Sequence, residues 1–323
     1  MRTNVSHFRL GLADQSGRKY LRQQGFSLIE LMIALAIGLL IMASVLMIYA
    51  AASRTSRTSE MESQMNEDGL IALNIIQQQI RMAGYSGFEQ PEATDKPNFT
   101  GAGVIGCSAA AFYPNASVQP AFSSLNATDC AEDSDLGDGI IIRYEADDRN
   151  TVPTTAGVPT NCLMNGASAA TNSLGATYRL PENRYFVAIS GTNPPALYCA
   201  AGGQLQPILD NVEKMELLYG ISATTTPGDT QVITYLNAAD INTAFSGESM
   251  DTRWKRVVSV KTCLLMRSAM PMKDIAATAT YRDCDGTLVT QATPDGYLRR
   301  AFITTATLRN RLTITDRNRK NES

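Results

Sequence analysis

Hydrophobic and polar positions divide the chain into stretches of different rhythm. Residues 26–52 read FSLIELMIALAIGLLIMASVLMIYAAA, and apart from Glu30 none of them is charged. That run exceeds the ~20 residues an α-helix needs to cross a bilayer. From 53 to 83 the pattern turns amphipathic. Met65, Ala72, Ile76, Ile80 and Ala83 recur at helical spacings, with Glu60, Glu62, Glu67 and Asp68 on the polar positions. No proline interrupts either stretch, the first in the chain being Pro91. Gly84, followed by Tyr85-Ser86-Gly87, predicts the stop. One helix over residues 26–83 would be about 87 Å long, with Gly38 and Gly69 as the places where it could bend.

Beyond residue 88 the chain is rich in Thr, Ala, Asn, Gly and Pro, broken by short apolar runs. Those at Gly139–Tyr144, Arg184–Ile189, Pro195–Ala200, Val212–Tyr219, Gln231–Leu236, Val257–Met266 and Arg300–Leu308 predict β-strands. In the last of them Phe302, Thr304, Ala306 and Leu308 share one face, as in a half-buried strand. The stretches 90–138, 145–178 and 267–298 read as long linkers. The predicted fold class is α+β. A long N-terminal helix, transmembrane in its first half and amphipathic in its second, packs on an antiparallel β-sheet domain with disulfide-tied loops. The expected divisions are a leader at 1–25, a transmembrane helix at 26–52, its amphipathic continuation at 53–84 and a β-rich globular domain at 88–323.

Charge sharpens the reading of the N-terminus. The whole chain has 28 basic and 31 acidic residues, which points to no particular partner. Residues 1–25, however, hold Arg2, Arg9, Arg18, Lys19 and Arg22 against Asp14, a net +4 that leaves −7 of the chain's −3 for the rest. A basic leader before an apolar run sets membrane orientation, and an acidic remainder argues against a general nucleic-acid surface. The single histidine is His7, inside that leader. Without it the chain lacks the commonest general base and metal ligand, which removes most hydrolase and zinc-site readings.

Cys107, Cys130, Cys162, Cys199, Cys263 and Cys284 all lie beyond the apolar run, and none forms a CxxC pair. An even number of scattered cysteines past a membrane segment predicts disulfides in an oxidising compartment, with free buried thiols as the alternative. Pairing of sequence neighbours (107 with 130, 162 with 199, 263 with 284) closes three modest loops and is the expected arrangement.

A secretory signal peptide places a short apolar core before a small-residue cleavage site. Here a long polar leader ends at Gly25 and the apolar run follows directly. An uncleaved signal anchor also fits that order, and Glu30 separates the two readings. A carboxylate five residues into an apolar helix is costly in hydrocarbon and marks function. If the chain is cut after Gly25, the new amine sits on Phe26, where it can neutralise the Glu30 carboxylate of a neighbouring subunit.

Gly25-Phe26-Ser27-Leu28-Ile29-Glu30-Leu31 resembles the signature of type IV prepilins and type II secretion pseudopilins. That resemblance implies cleavage after Gly25 by a prepilin peptidase, methylation of the Phe26 amine, and Glu30 as the carboxylate that guides assembly. Major pilins commonly carry a proline within this helix, and none is present. The stretches Val212–Gly220 and Trp254–Lys261 and the ending Arg299–Arg311 are similar to the PilW family of large minor pilins, itself similar to J-type minor pseudopilins. The family implies a structural subunit that primes or supports pilus assembly, not an enzyme, without cofactor. Its implied partners are other minor pilins, the major pilin and a tip-associated adhesin. Its implied place is the inner membrane, with the globular domain periplasmic, and then the pilus. The alternatives are a type II secretion pseudopilin or a membrane-anchored periplasmic binding protein.

Other candidates for chemistry are weaker. Glu132-Asp133-Ser134-Asp135-Leu136-Gly137-Asp138-Gly139 offers hard oxygen ligands for calcium but lacks EF-hand spacing, so it reads first as a polar turn. Asp283-Cys284-Asp285-Gly286 predicts a hairpin. The basic tail Arg309, Arg311, Arg317, Arg319 and Lys320 has no interleaved aromatics and reads as a solvated terminus. No phosphate-cradling glycine loop, GxSxG elbow or HExxH occurs.

Overall fold

The apolar and amphipathic stretches form one helix, α1 (Leu28–Met82). It belongs to a computed structural model that describes residues 25–87, 97–108, 136–226, 228–272, 280–291, 293 and 295–311. The chain divides into two units, Met1–Arg57 and Thr58–Ser323. In the second unit α1 buries Met65, Gly69, Ala72, Leu73, Ile76 and Ile80, the stripe its periodicity requires. Neither Gly38 nor Gly69 interrupts the helix. A Cβ at Gly69 would lie 2.7 Å from ring atoms of Phe302, so this glycine lets an aromatic ring approach the helix.

The helix stops where Gly84 takes φ +74°, a conformation cheap only for glycine. Its N–H donates to the Arg143 carbonyl at 2.8 Å. Gly103 crosses at the same point: a Cβ there would lie 2.4 Å from the Gly84 nitrogen. The Asn310 amide donates to the carbonyls of Arg81, Met82 and Ala83 at 3.2, 3.1 and 3.1 Å, satisfying acceptors that a helix end leaves open. The C-terminal segment thus caps the helix on which the domain is built.

The strands begin with β1 (Val104–Cys107), β2 (Gly139–Arg143), β3 (Ala169–Thr171), β4 (Thr177–Arg179), β5 (Glu182–Ala188), β6 (Ala196–Ala201) and β7 (Gln204–Asp210). They continue with β8 (Val212–Ile221), β9 (Thr234–Leu236), β10 (Val257–Arg267), β11 (Thr280–Arg282), β12 (Leu288–Thr290) and β13 (Arg299–Thr307). Two short helices, α2 (Ala238–Ala244) and α3 (Met250–Trp254), lie between β9 and β10. One sheet runs β1-β2-β5-β6-β7 and a second runs β13-β10-β8-β9, while β3-β4 and β11-β12 are separate pairs. Every named pair is antiparallel.

All seven expected strands are present with ends shifted by a few residues, and the class is α+β as the pattern predicts. The linker reading is corrected. Residues 90–138 contain β1, residues 145–178 contain β3 and β4, and residues 267–298 contain β11 and β12. β7 and both short helices are further additions.

The main core joins the buried stripe of α1 to inward residues of both sheets, among them Val104, Ile142, Leu197, Met215, Leu217, Val260 and Leu264. Tyr219 and Trp254 meet edge to face with centroids 4.9 Å apart, the arrangement the ring quadrupoles favour. β5 and β6 are buried on both faces. Tyr185, Val187, Leu197 and Cys199 face the main core, and Phe186, Ala188, Ala196, Tyr198 and Ala200 form a second cluster behind it.

Disulfides join Cys162 to Cys199 and Cys263 to Cys284, as sequence-neighbour pairing predicts. The first ties the loop after β2 to β6. The second pins the tip of the β11-β12 hairpin to the middle of β10. That hairpin turns at Asp283–Gly286, where the Gly286 N–H donates to the Asp283 carbonyl at 2.9 Å. Cys107 is also disulfide-bonded. Its expected partner, Cys130, lies outside the described residues.

One half-buried ion cluster links three strands. Arg299 on β13 donates to both Glu213 carboxylate oxygens on β8, at 2.6 and 2.8 Å, and to Asp295 at 2.9 Å. Arg267 on β10 sits over the Tyr297 ring at 4.3 Å. The Arg299 hydrogen bond holds the Asp295 carboxyl well below its ordinary value of 3.8. A carboxyl depressed in the folded state stabilises the fold above its unfolded pKa, and that contribution is lost as pH falls below it. Between about pH 5 and pH 2 the thermal midpoint of the wild type is therefore expected to fall more steeply than that of Asp295→Asn. Parallel slopes in a thermal-melt series would contradict this role.

Candidate assembly site

In the first unit α1 starts at a recognisable signal. The Glu30 N–H donates to the Ser27 hydroxyl at 3.2 Å and to the Ser27 carbonyl at 3.1 Å. Ser27-Leu28-Ile29-Glu30 has the spacing of a capping box, in which a serine accepts from the N–H three residues on. An acid in the first turn also complements the positive end of the helix dipole. The motif reading assigned Ser27 no role, although the S-x-x-E spacing itself predicts this helix start.

Within this unit two other hydroxyls of the helix bond back to its own backbone. Ser44 donates to the Leu40 carbonyl at 2.9 Å and Thr55 to the Ala51 carbonyl at 3.1 Å. Such back-bonding is what a hydroxyl in hydrocarbon requires. The Glu30 carboxylate has no hydrogen bond or ion pair among the described residues. It is surrounded by exposed Phe26 just before the helix and by Leu28, Ile29, Leu31, Ile33 and Leu35 on it. Among the described residues one helix is long and apolar enough to cross a membrane, and none of that window is buried within the protein. The site therefore brings together an unspent anion, an exposed apolar surface and, at Gly25–Phe26, the peptide bond preceding the helix.

Other candidates fall elsewhere. Residues 132–135 of the acidic loop lie outside the described residues, and its end is structural. The Asp138 carboxylate accepts from the Leu217 N–H at 2.8 Å and the Asp138 N–H donates to the Met215 carbonyl at 2.6 Å. Gly137 takes φ +86° there, and a Cβ would lie 2.1 Å from the Met215 oxygen. No cluster of three or more metal-ligating side chains occurs among the described residues. Of the basic tail, Arg309 and Arg311 form a 3-10 turn, while Arg317, Arg319 and Lys320 lie outside the described residues, as does His7.

Comparison with known proteins bears on both ends of the chain. Residues 20–46 match the prokaryotic N-terminal methylation motif, which spans Gly25, Phe26 and Glu30. Residues 184–310 match type IV pilus-assembly protein W, PilW, from β5 through β13 to the helix-capping Asn310. The chain carries a PilW-like segment together with an N-terminal methylation motif. The PilW segment contains the second sheet entire, the whole Cys263–Cys284 disulfide and Cys199 of the other. A solved type IV-like pilin from Thermus thermophilus is similar over 76% of this chain and 96% of its own, at 11% identity and a TM-score of 0.34. At that score the likeness carries no argument about PilW function here. No curated protein matches the chain. The methylation motif and the apolar helix are features of a membrane-anchored protein, and the PilW domain is one of pilus assembly.

Proposed function

We propose that the chain is a minor pilin that primes or supports type IV pilus assembly as a structural, non-enzymatic subunit. Residues 1–25 are a leader removed by a prepilin peptidase, and the Phe26 amine left behind is methylated. Residues 26–52 hold the protein in the inner membrane as a single span, 53–84 continue the helix, and the domain from 88 onward lies in the periplasm. In the assembly the Phe26 amine of one subunit neutralises Glu30 of the next, so that apolar helices pack side by side. Partners are the other minor pilins, the major pilin and a tip adhesin.

The observation carrying this reading is that one chain bears the methylation motif at 20–46 and the PilW match at 184–310. The unpaired Glu30 carboxylate adds a physical need for a cation from outside the chain. Deletion of the gene tests the reading. Surface pili are expected to fall to a small fraction while the cellular pool of major pilin stays intact and protein secretion continues. Normal piliation with lost exoprotein secretion would overturn it in favour of a type II secretion pseudopilin.

A further inference from the structure

Among the described residues the second sheet ends in an open edge at β13. Leu308 N–H donates to the Val258 carbonyl at 2.9 Å, and Thr307 pairs with Ser259. That phase turns the backbone groups of residues 300, 302, 304 and 306 towards β10, and those of Ala301, Ile303, Thr305 and Thr307 outward. Among the described residues none of these four has a backbone hydrogen bond on the outer side. Edges of this length are templates for another strand unless a proline, a bulge or an inward charge blunts them. β13 pairs with β10 without a register shift, contains no proline, and has its one inward charge, Arg300, at the end of the strand.

The space beside the edge is also lined. Arg300 donates to Asn66 at 2.6 Å and Gln77 to Thr304 at 3.2 Å, so this flank of α1 lies over β13. Helical spacing puts Leu70 on the stripe between Asn66 and Gln77, and Leu70 is 63% exposed. A strand added to β13 would cover Leu70 with one set of side chains and continue the solvent face beside Ile303, itself 50% exposed.

Charge selects the occupant. Arg300, Lys261 and Arg309 flank the edge, and none has a salt bridge among the described residues. A second copy pairing antiparallel about Thr304 would set its Arg309 opposite Arg299 and next to Arg300. The chain's own residues 312–323 hold three basic and two acidic residues, so they do not complement the edge either. We propose that the free edge of β13 receives an extended segment of a different protein, with alternating apolar residues flanked by acids, by strand addition. The site is built within residues 58–311 and does not depend on cleavage at Gly25.

Amide exchange on the detergent-solubilised full chain tests this. The probe is a synthetic end-blocked peptide of alternating valine and threonine flanked by glutamates, with a lysine-flanked twin. The glutamate peptide is expected to slow exchange at Ile303, Thr305 and Thr307 at least roughly tenfold, and the lysine twin far less. Thr305→Pro removes only an outward N–H, which an edge strand tolerates, and should abolish the protection while leaving the thermal midpoint near wild type. Should that variant unfold, Arg300→Glu keeps the backbone and is expected to reverse the preference between the two peptides. Equal protection by both peptides, or none, overturns the proposal. So does protection without peptide, whether lost on deletion of 312–323 or rising with protein concentration, because the chain's own tail or a second copy then fills the edge.

Discussion

Glu30→Ala is expected to leave cleavage after Gly25 intact and to lower incorporation into the pilus by roughly tenfold to a hundredfold, from the ~1.5–3 kcal/mol of a charge-assisted bond. The carboxylate is the lone charge between Phe26 and Ala52, and nothing among the described residues neutralises it. Removing it strands the amine of the neighbouring subunit in an apolar environment, which costs more than the bond itself. Glu30 also sits in the first turn of α1, where an acid contributes ~0.3–1 kcal/mol to the helix. Glu30→Gln separates the two roles. It retains the spacing and a hydrogen-bonding group but not the charge, so a pairing role predicts assembly nearly as poor as for alanine. Assembly at wild-type level in Glu30→Gln, measured by immunoblot of sheared pili, would leave only the helix-start role.

The second large effect is at the cleavage bond. Gly25 lies just outside α1, and among the described residues no atom beyond its chain neighbours comes within 4 Å of a Cβ built there. A bulky replacement such as Gly25→Leu therefore has no folding penalty in the described structure, and any defect reports on recognition by the peptidase. The expected product is a membrane protein heavier than the wild type by the whole leader, without methylation and absent from pili. Its globular domain should melt as the wild type does. A variant of processed mass would place the cut at another bond.

Helical and strand periodicity made much of this fold legible. Met65, Ala72, Ile76, Ile80 and Ala83 are all buried, and Phe302, Thr304, Ala306 and Leu308 do face inward. The elements missed share physical reasons. β1 is four residues buried throughout, so no alternation betrays it. β7 contains Pro207, which argues against a strand, yet it is an edge strand with a register shift beside that proline, where the missing N–H costs little. α2 and α3 are too short for periodicity and announce themselves only by caps, the side chains of Asn237 and Ser249.

The site was legible for a different reason. Gly25, Phe26 and Glu30 are a local motif whose parts lie within one helical turn or next to it, so no tertiary information is needed to assemble them. The roles of Asp138 and Asn310 were not legible, because each depends on a partner far along the chain: Leu217 for the first and the end of α1 for the second.

Intact mass of the protein extracted from the membrane tests the central claim most directly. A chain that begins at a methylated Phe26 supplies the cation that the Glu30 carboxylate lacks within its own chain. A mass that includes Met1 and the leader would mean that no such amine exists beside Glu30, and the assembly account could not stand.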